Sequence, residues 1–372
     1  MRKTSACIIT TVHPPFDTRI FHKQAKSLRD AGYSVTLISS HPRTETIDGI
    51  RIISLREIKN RIIRILFAPI LAVALALRQK ADIYHFHDPE LIPEALLLRI
   101  FGKKVIYDMH ELVADQIEDK QWIKPPLLRK IARMIYSFME LLAVKYMSHI
   151  ILAEDGYTEY FSRTYSGFSN YTVIRNYPLD NFISDSPAIK LQKTYQAIYA
   201  GGLTHVRGIM EIIRAIDMLP NYRLTLMGPW GSEQYRKDCM TSPGWSKVNY
   251  MGNLPLDEVR KEMQQGTVGL CMLHPIKNYV VSLPVKAFEY MGCGLPMVMS
   301  DFPLWQKLFS ECAVFADPYN PSDIAAKIAI LSTDTMLNKS LANRGLALVK
   351  EKYNWQMEKN KLLSVYTELL KR

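Results

Sequence analysis

Cysteine offers this chain no scaffold. The 372-residue sequence has five (Cys7, Cys239, Cys271, Cys293 and Cys312), an odd, scattered set without a C-x-x-C pair. That pattern argues against a disulfide framework or a zinc site and fits a reducing cytosol. Long apolar runs are also missing, since a membrane-spanning helix needs ~20 such residues. The nearest candidate, RIIRILFAPILAVALALRQK (61–80), is interrupted by Pro69 and bounded by Arg61, Arg64, Arg78 and Lys80. It reads as a buried or interfacial helix. The opening MRKTSACIITTV runs into HPPFD with no small-residue cleavage site, so a first buried strand is expected rather than a signal peptide. There is no 20–50-residue repeat, no low-complexity segment and no G-x-G-x-x-G. Acidic residues are the scarcer charge, and the net charge of +11 favours anionic partners. No aromatic–basic platform accompanies it, so nucleic acid is not expected.

What is present is alternation. Strand-like runs at 6–12, 34–40, 50–55, 81–87, 103–110, 149–154 and 171–178 are separated by helix-like patterns at 18–32, 61–80, 89–101 and 127–147. The pattern restarts at QAIYAGGLT (196–204) and continues through runs at 222–228, 247–252, 268–273, 295–300 and 313–317. Such alternation predicts α/β architecture with parallel sheets covered on both faces. We expect two Rossmann-like domains facing a cleft: residues 1–177, a polar linker 178–195, and residues 196–354. A final helix, 355–372, is expected to cross back and pack on the first domain.

In open α/β sheets, ligands bind beyond the carboxyl ends of the strands, beside helix N-termini suited to phosphate. Three loops qualify. Gly201-Gly202 permits close backbone approach, with Arg207 positioned for a bidentate phosphate contact. SLPVKAFEYMGCGLP (282–296) starts a helix at Pro284 and sets Lys286 and Glu289 at i and i+3 within an apolar segment. A lysine there opposes the helix dipole unless an anion is bound, and Glu289 needs a partner of its own. A diphosphate for Lys286 and a ribose diol for Glu289 satisfy both. A surface ion pair between them is the alternative. In the first half, VHPPFDTRIFH (12–22) and YDMHE (107–111) follow strands, with His110 placed for a ligand. HFHDPE (85–90) offers His85 and His87 on one strand face, only two ligands, so no metal is expected.

The motifs together resemble the retaining glycosyltransferases of family 4, which have the GT-B fold. The resemblance runs through DTRIFHKQAKSLRDAGYSVTLIS, ADIYHFHDPE, VIYDMHE, VIRNYP, YAGGLTHVRGIMEIIRAI, YMGNLPLDEV and SLPVKAFEYMGCGLPMV. The last motif looks like the variant in enzymes building bacterial surface polysaccharides. The resemblance implies a C-terminal half that binds a nucleoside-diphosphate sugar and an N-terminal half that binds the acceptor. It assigns Glu289 to the ribose hydroxyls and Arg207 to the diphosphate, with Gly201, Gly202, Val285 and Lys286 around the donor. His110 would approach the donor sugar, and Asp17 and Arg19 would lie in the acceptor and phosphate loop. Catalysis would then rest on His110, Arg207 and Lys286. No D-x-D occurs, and neither metal nor other cofactor is expected.

Two departures stand out. The family's first glutamate of Glu-x7-Glu falls at Val281, and its common arginine falls at Gly202. Lys286 would compensate for the lost charge. The stretch 121–147 carries Trp122 and five basic residues against Glu140 alone, which reads as a basic amphipathic surface or as an ordinary packed helix. A lipid-linked saccharide acceptor and an anionic membrane surface are the expected partners. The expected location is cytoplasmic, extended to the inner face of the cytoplasmic membrane. A nucleotide-sugar 2-epimerase and a catalytically inactive nucleotide-sugar-binding protein of the same fold are the rival readings.

Overall fold

The computed structural model describes residues 2–114, 117, 124–185 and 195–372. The chain divides into two compact units, one formed by Met1–Asn176 with Gln356–Arg372, the other by Tyr177–Trp355.

The first unit is built on β1 (Ser5–Ile9), β2 (Ser34–Ser40), β3 (Glu45–Ile47), β4 (Ile50–Leu55), β5 (Ile83–Phe86), β6 (Lys104–Met109), β7 (His149–Leu152) and β8 (Tyr171–Val173). Their order across the sheet is β3-β4-β2-β1-β5-β6-β7-β8. All neighbours are parallel except β3, which pairs antiparallel with β4. The β3 hairpin is absent from the expected strands, although Asp48-Gly49 supplies the two positive-φ residues such a turn needs. The central strands are almost wholly buried and mostly apolar, as parallel strands covered on both faces are.

The expected helix 18–32 begins as a π-helix, Thr18–Ala25, and becomes α1 (Lys26–Asp30). Helices α2 (Arg61–Arg78), α3 (Ile92–Ile100) and α4 (Pro126–Tyr146) follow. Ala68, Ala72, Ala76, Ala95, Leu98 and Ala143 from these helices join the core over the sheet. Residues 121–123, with Trp122, lie outside the described residues. The C-terminal helix, Trp355–Lys371, packs into this unit, where Tyr366 Oη lies 3.0 Å from His85 Nδ1 and Lys104 Nζ donates to Leu370 O. No described helix is long and apolar enough to cross a membrane.

The second unit contains β9 (Tyr195–Ala200), β10 (Tyr222–Met227), β11 (Val248–Gly252), β12 (Val268–Cys271), β13 (Met297–Ser300) and β14 (Ala313–Ala316). Their order is β11-β10-β9-β12-β13-β14, all parallel. Relative to chain order this is the 3-2-1-4-5-6 arrangement of dinucleotide-binding folds, and β4-β2-β1-β5-β6-β7 repeats it in the first unit. Helices α5 (Ile209–Asp217) and α6 (Val285–Gly292) follow β9 and β12. The stretch expected as a linker differs in its described part. Residues 177–185 belong to the second unit, where Tyr177 and Phe182 are buried in its core and Ser184 N donates to Gly292 O. Aromatic side chains at 177 and 182 outweigh the polar composition around them. Residues 186–194 lie outside the described residues.

Candidate functional site

The strand order places a switch point between β9 and β12, and the expected donor residues gather beyond those strand ends. Gly201 leaves β9 at φ +132°, a backbone conformation that side chains disfavour. A Cβ there would stand 3.2 Å from Lys286 Nζ and 3.3 Å from an Arg207 guanidinium nitrogen, and one on Gly202 would stand 3.2 Å from that same nitrogen. The two bare glycines thus leave room for two cations. Arg207 ends a 3-10 turn (His205–Arg207) closed by Gly208 in the left-handed conformation. Lys286 comes from the first turn of α6.

Neither cation forms an ion pair among the described residues. Lys286 Nζ is buried and makes no hydrogen bond, to Glu289 or to any other described residue. Its contact is the face of Tyr199, 3.7 Å to the ring centre, a cation–π arrangement. Burial works against the charge of Arg207, but the hydroxyls of Tyr199 and Tyr279 beside it hold its pKa above the ordinary value. Helix α6 is fixed by Tyr290, whose hydroxyl accepts from Ala200 N and faces the carbonyls of Ile198 and Leu270. Gly269 makes that possible, since a Cβ there would meet the Tyr290 ring at 2.6 Å. Val285 opens α6 and Glu289 sits one turn on, both half-buried. Val281, at the position of the family's first glutamate, is 54% exposed. Two unopposed cations converging on a glycine turn suit a diphosphate.

The first unit holds a second constellation, beyond β1, β5 and β6. A cavity of about 480 Å³ is lined by His13, Asp88, Glu90 and His110, with Arg61, Arg64 and Ile65 from α2 and Ala132 and Tyr136 from α4. His13 Nε2 and His110 Nε2 are 3.0 Å apart, so one must donate while the other accepts. Burial lowers the pKa of His110 and disfavours its charged form, although Asp108 pulls the other way. Asp88 accepts from Thr10 Oγ1 and Thr11 N, and burial raises the pKa of Glu90.

The expected acceptor loop needs a correction. Asp17 caps the π-helix by accepting from Arg19 N and Ile20 N. Arg19 turns largely inward, with one terminal nitrogen left without a hydrogen-bond partner among the described residues. It is buried, and its Nε and a terminal nitrogen bond both oxygens of Asp108 at 3.0–3.2 Å. A fully buried carboxylate needs such a partner, and Asp108 supplies the reason Arg19 turns inward. Burial opposes the charge of Asp108, but Arg19 and the neighbouring His85 and His87 hold its pKa well below the usual carboxylate range.

Asp108 is also a residue that the sequence does not single out. With it, His85 and His87 form a buried trio whose ligand atoms lie within 4.8 Å of one another. His85 in β5 and His87 just beyond its end are visible in the sequence. The third group arrives from β6, a neighbour only in the sheet. The carboxylate also accepts from Arg19 on both oxygens and from Gln24 Nε2. Tyr199 and Tyr279 likewise escape a reading along the chain, and nothing in their local sequence marks them.

Known proteins agree with this fold. A glycosyltransferase family 4 model matches residues 18–159, and a glycosyl transferase-like model matches residues 207–364. The chain is a family 4-type glycosyltransferase with the GT-B fold. An O-antigen chain mannosyltransferase B of Escherichia coli is 25% identical over 233 residues, 55% of this chain and 59% of that relative's length. A sucrose-phosphate synthase of Thermosynechococcus elongatus superposes with a TM-score of 0.79 at 16% identity, covering 99% of each chain. HepE of Anabaena, solved with UDP and glucose, gives a TM-score of 0.72 at 13% identity over 98% of this glycosyltransferase and 100% of HepE. At these identities the two structures speak for the fold alone.

Proposed function

We propose that this glycosyltransferase moves a sugar, with retention at the anomeric carbon, from a nucleoside-diphosphate sugar to a hydroxyl of a lipid-linked saccharide in cell-surface polysaccharide synthesis. The observation that carries the donor half is the convergence of Arg207 and Lys286 on Gly201, with no ion-pair partner among the described residues for either. Negative charge grows on the departing diphosphate as the glycosidic bond breaks, so fixed cations at that point act mainly in the transition state. Arg207 and Lys286 supply them from the protein's own side chains, and Lys286 takes over the charge that Gly202 does not provide. Glu289 holds the ribose hydroxyls. The departing phosphate oxygen takes the proton of the attacking hydroxyl on the same face of the sugar, which gives retention without a protein nucleophile. His110, held neutral by burial and bonded to His13, is suited to hydrogen-bond a hydroxyl of the donor sugar.

The acceptor half rests on the cavity of the first unit, where carboxylates, imidazoles and Tyr136 offer the mixed polar and aromatic wall that saccharides need. The relatives lend support: HepE was solved with UDP and glucose, and the E. coli relative is an O-antigen chain mannosyltransferase.

The test is thermal stabilisation by UDP-, GDP- and ADP-sugars of the wild type and of Glu289→Ala. Stabilisation by one nucleotide class in the wild type, weakened in the variant, supports the pocket and names the donor base. An unchanged melting point with all three would sink the assignment of Lys286 and Glu289.

A further inference from the structure

The three helices over one face of the first unit break the rule that a surface helix is apolar on one side only. Helix α2 buries Ala68, Pro69, Ala72, Val73 and Ala76. Its opposite side, facing solvent, carries Ile62, Ile63, Leu66, Phe67, Ile70 and Leu71, all exposed. In α4, Leu128, Ile131, Met134, Ile135, Phe138 and Leu141 repeat at helical spacing and are exposed as well. Helix α3 touches both of its neighbours and adds Leu97 and Ile100, followed by Phe101. An apolar surface spread over three adjacent helices marks an interaction site.

Charge decides which partner fits. The charged residues on these helices are almost all basic: Arg61, Arg64, Arg78, Arg99, Arg129, Lys130, Arg133 and Lys145. The carboxylates are Glu94 and Glu140, and Glu140 is fully buried beneath the hydroxyls of Tyr136, Tyr160 and Tyr165. Exposed apolar side chains amid basic ones, with carboxylates few and one of the two buried, complement a bilayer bearing anionic headgroups.

We infer that the α2–α3–α4 face seats on an anionic lipid bilayer, and that α2 and α4 pass the saccharide of a membrane-held acceptor into the cavity between them. The second half of this rests on the lipid-linked acceptor of the preceding reading. Its geometric basis is that the two helices with the longest exposed apolar stripes also wall the cavity, through Arg61, Arg64 and Ile65 and through Ala132 and Tyr136. A lipid tail then stays in the bilayer while its sugar reaches His110.

The experiment is co-sedimentation of the full chain with vesicles of phosphatidylcholine alone or mixed with phosphatidylglycerol, at low and high salt. We expect binding to the anionic vesicles, weakened by salt. Arg78→Glu with Lys130→Glu should weaken it by about fivefold or more per basic residue replaced. Phe67→Glu with Phe138→Glu should abolish it. These side chains are exposed, so melting temperatures should match the wild type. Stabilisation by the nucleotide-sugar should persist in every one of these variants, because the donor groups lie in the other unit. If the wild type ignores anionic vesicles while nucleotide-sugar still stabilises it, the membrane inference fails and the transferase reading stands. Vesicle binding without nucleotide-sugar stabilisation leaves the membrane face standing and removes the donor assignment. If Phe138→Glu instead dissolves a dimer seen by sedimentation, and no vesicle binds, the face is a contact between copies and the inference is overturned.

Discussion

Lys286 Nζ rests 3.7 Å from the centre of the Tyr199 ring and makes no hydrogen bond among the described residues. Tyr199 lies in β9 and Lys286 in the first turn of α6, so the contact joins the two elements that flank the switch point. A cation held by an aromatic face keeps its hydrogen-bond donors available to an anion, which a carboxylate partner would not allow. The consequence is kinetic. Lys286→Met and Arg207→Met should each lower kcat/KM by roughly 10²–10³. Their double variant should lose less than the product of the two, because both act on one diphosphate. Steady-state kinetics with the donor found by thermal stabilisation measures this. An effect confined to protein stability would remove both residues from the site.

Gly201 is the hinge of the same arrangement. Gly201→Ala sets a Cβ at φ +132° and 3.2 Å from Lys286 Nζ. Strain of this kind costs about 1–3 kcal/mol, and the displaced ammonium should weaken donor binding at the same time. Gly102→Ala is the control, since its φ of +70° is also positive but its Cβ would meet nothing within 4 Å. Both variants should melt earlier than the wild type. Only Gly201→Ala should raise the donor Kd.

The sequence disclosed what is local and periodic. Apolar runs located the sheet strands, the restart at residue 196 separated two similar halves, and the P-x-K-x-F-E segment showed that Lys286 and Glu289 share one helix. Local reading fails where partners come from elsewhere in the sheet. Arg19 looks like a ligand contact because Asp108, 89 residues away, is invisible as its partner along the chain. His85 and His87 look like an incomplete ligand pair because β6 is adjacent to β5 only after folding. The Asp48-Gly49 hairpin is a different failure, since its turn signal is local but the three-residue β3 before it is too short to show alternation. The 178–195 stretch misleads through composition, its polar residues concealing the buried Phe182.

Arg19 and Asp108 make the next prediction. Removing one partner of a buried ion pair leaves an uncompensated charge, a loss of about 3–5 kcal/mol. Asp108→Asn should therefore destabilise the first unit strongly in urea titrations, and Arg19→Met should do the same. The double variant should recover part of the loss, as both charges are then gone. Equal and additive losses would mean that the pair does not couple.

The cysteines allow a simple chemical check. All five are buried and unpaired, and burial pushes the thiols of Cys7, Cys293 and Cys312 up to about 12 and those of Cys239 and Cys271 to about 11. The thiolate is the reactive form. A thiol reagent at pH 8 should label none of them rapidly in the folded protein and all five in guanidinium. Fast labelling of one residue would show a local opening at that strand or helix.

His87 sets the response to acid. It is fully buried, and neither ring nitrogen has a hydrogen-bond partner among the described residues. Burial holds its pKa well below the ordinary value, against the pull of Asp108, and His110 shifts in the same direction. A depressed pKa in the folded state means that, as pH falls, the unfolded chain binds the proton first. The stability linked to these histidines is complete above about pH 6.5 and is lost progressively below it. The urea midpoint should thus drop between pH 7.5 and pH 5.5, and the drop should be smaller in His87→Leu. Carboxylates such as Asp108, whose pKa is lowered from an already acidic value, contribute their loss only at more acidic pH, so the two contributions separate along the pH axis. An identical drop in wild type and His87→Leu would show that His87 accepts its proton without unfolding.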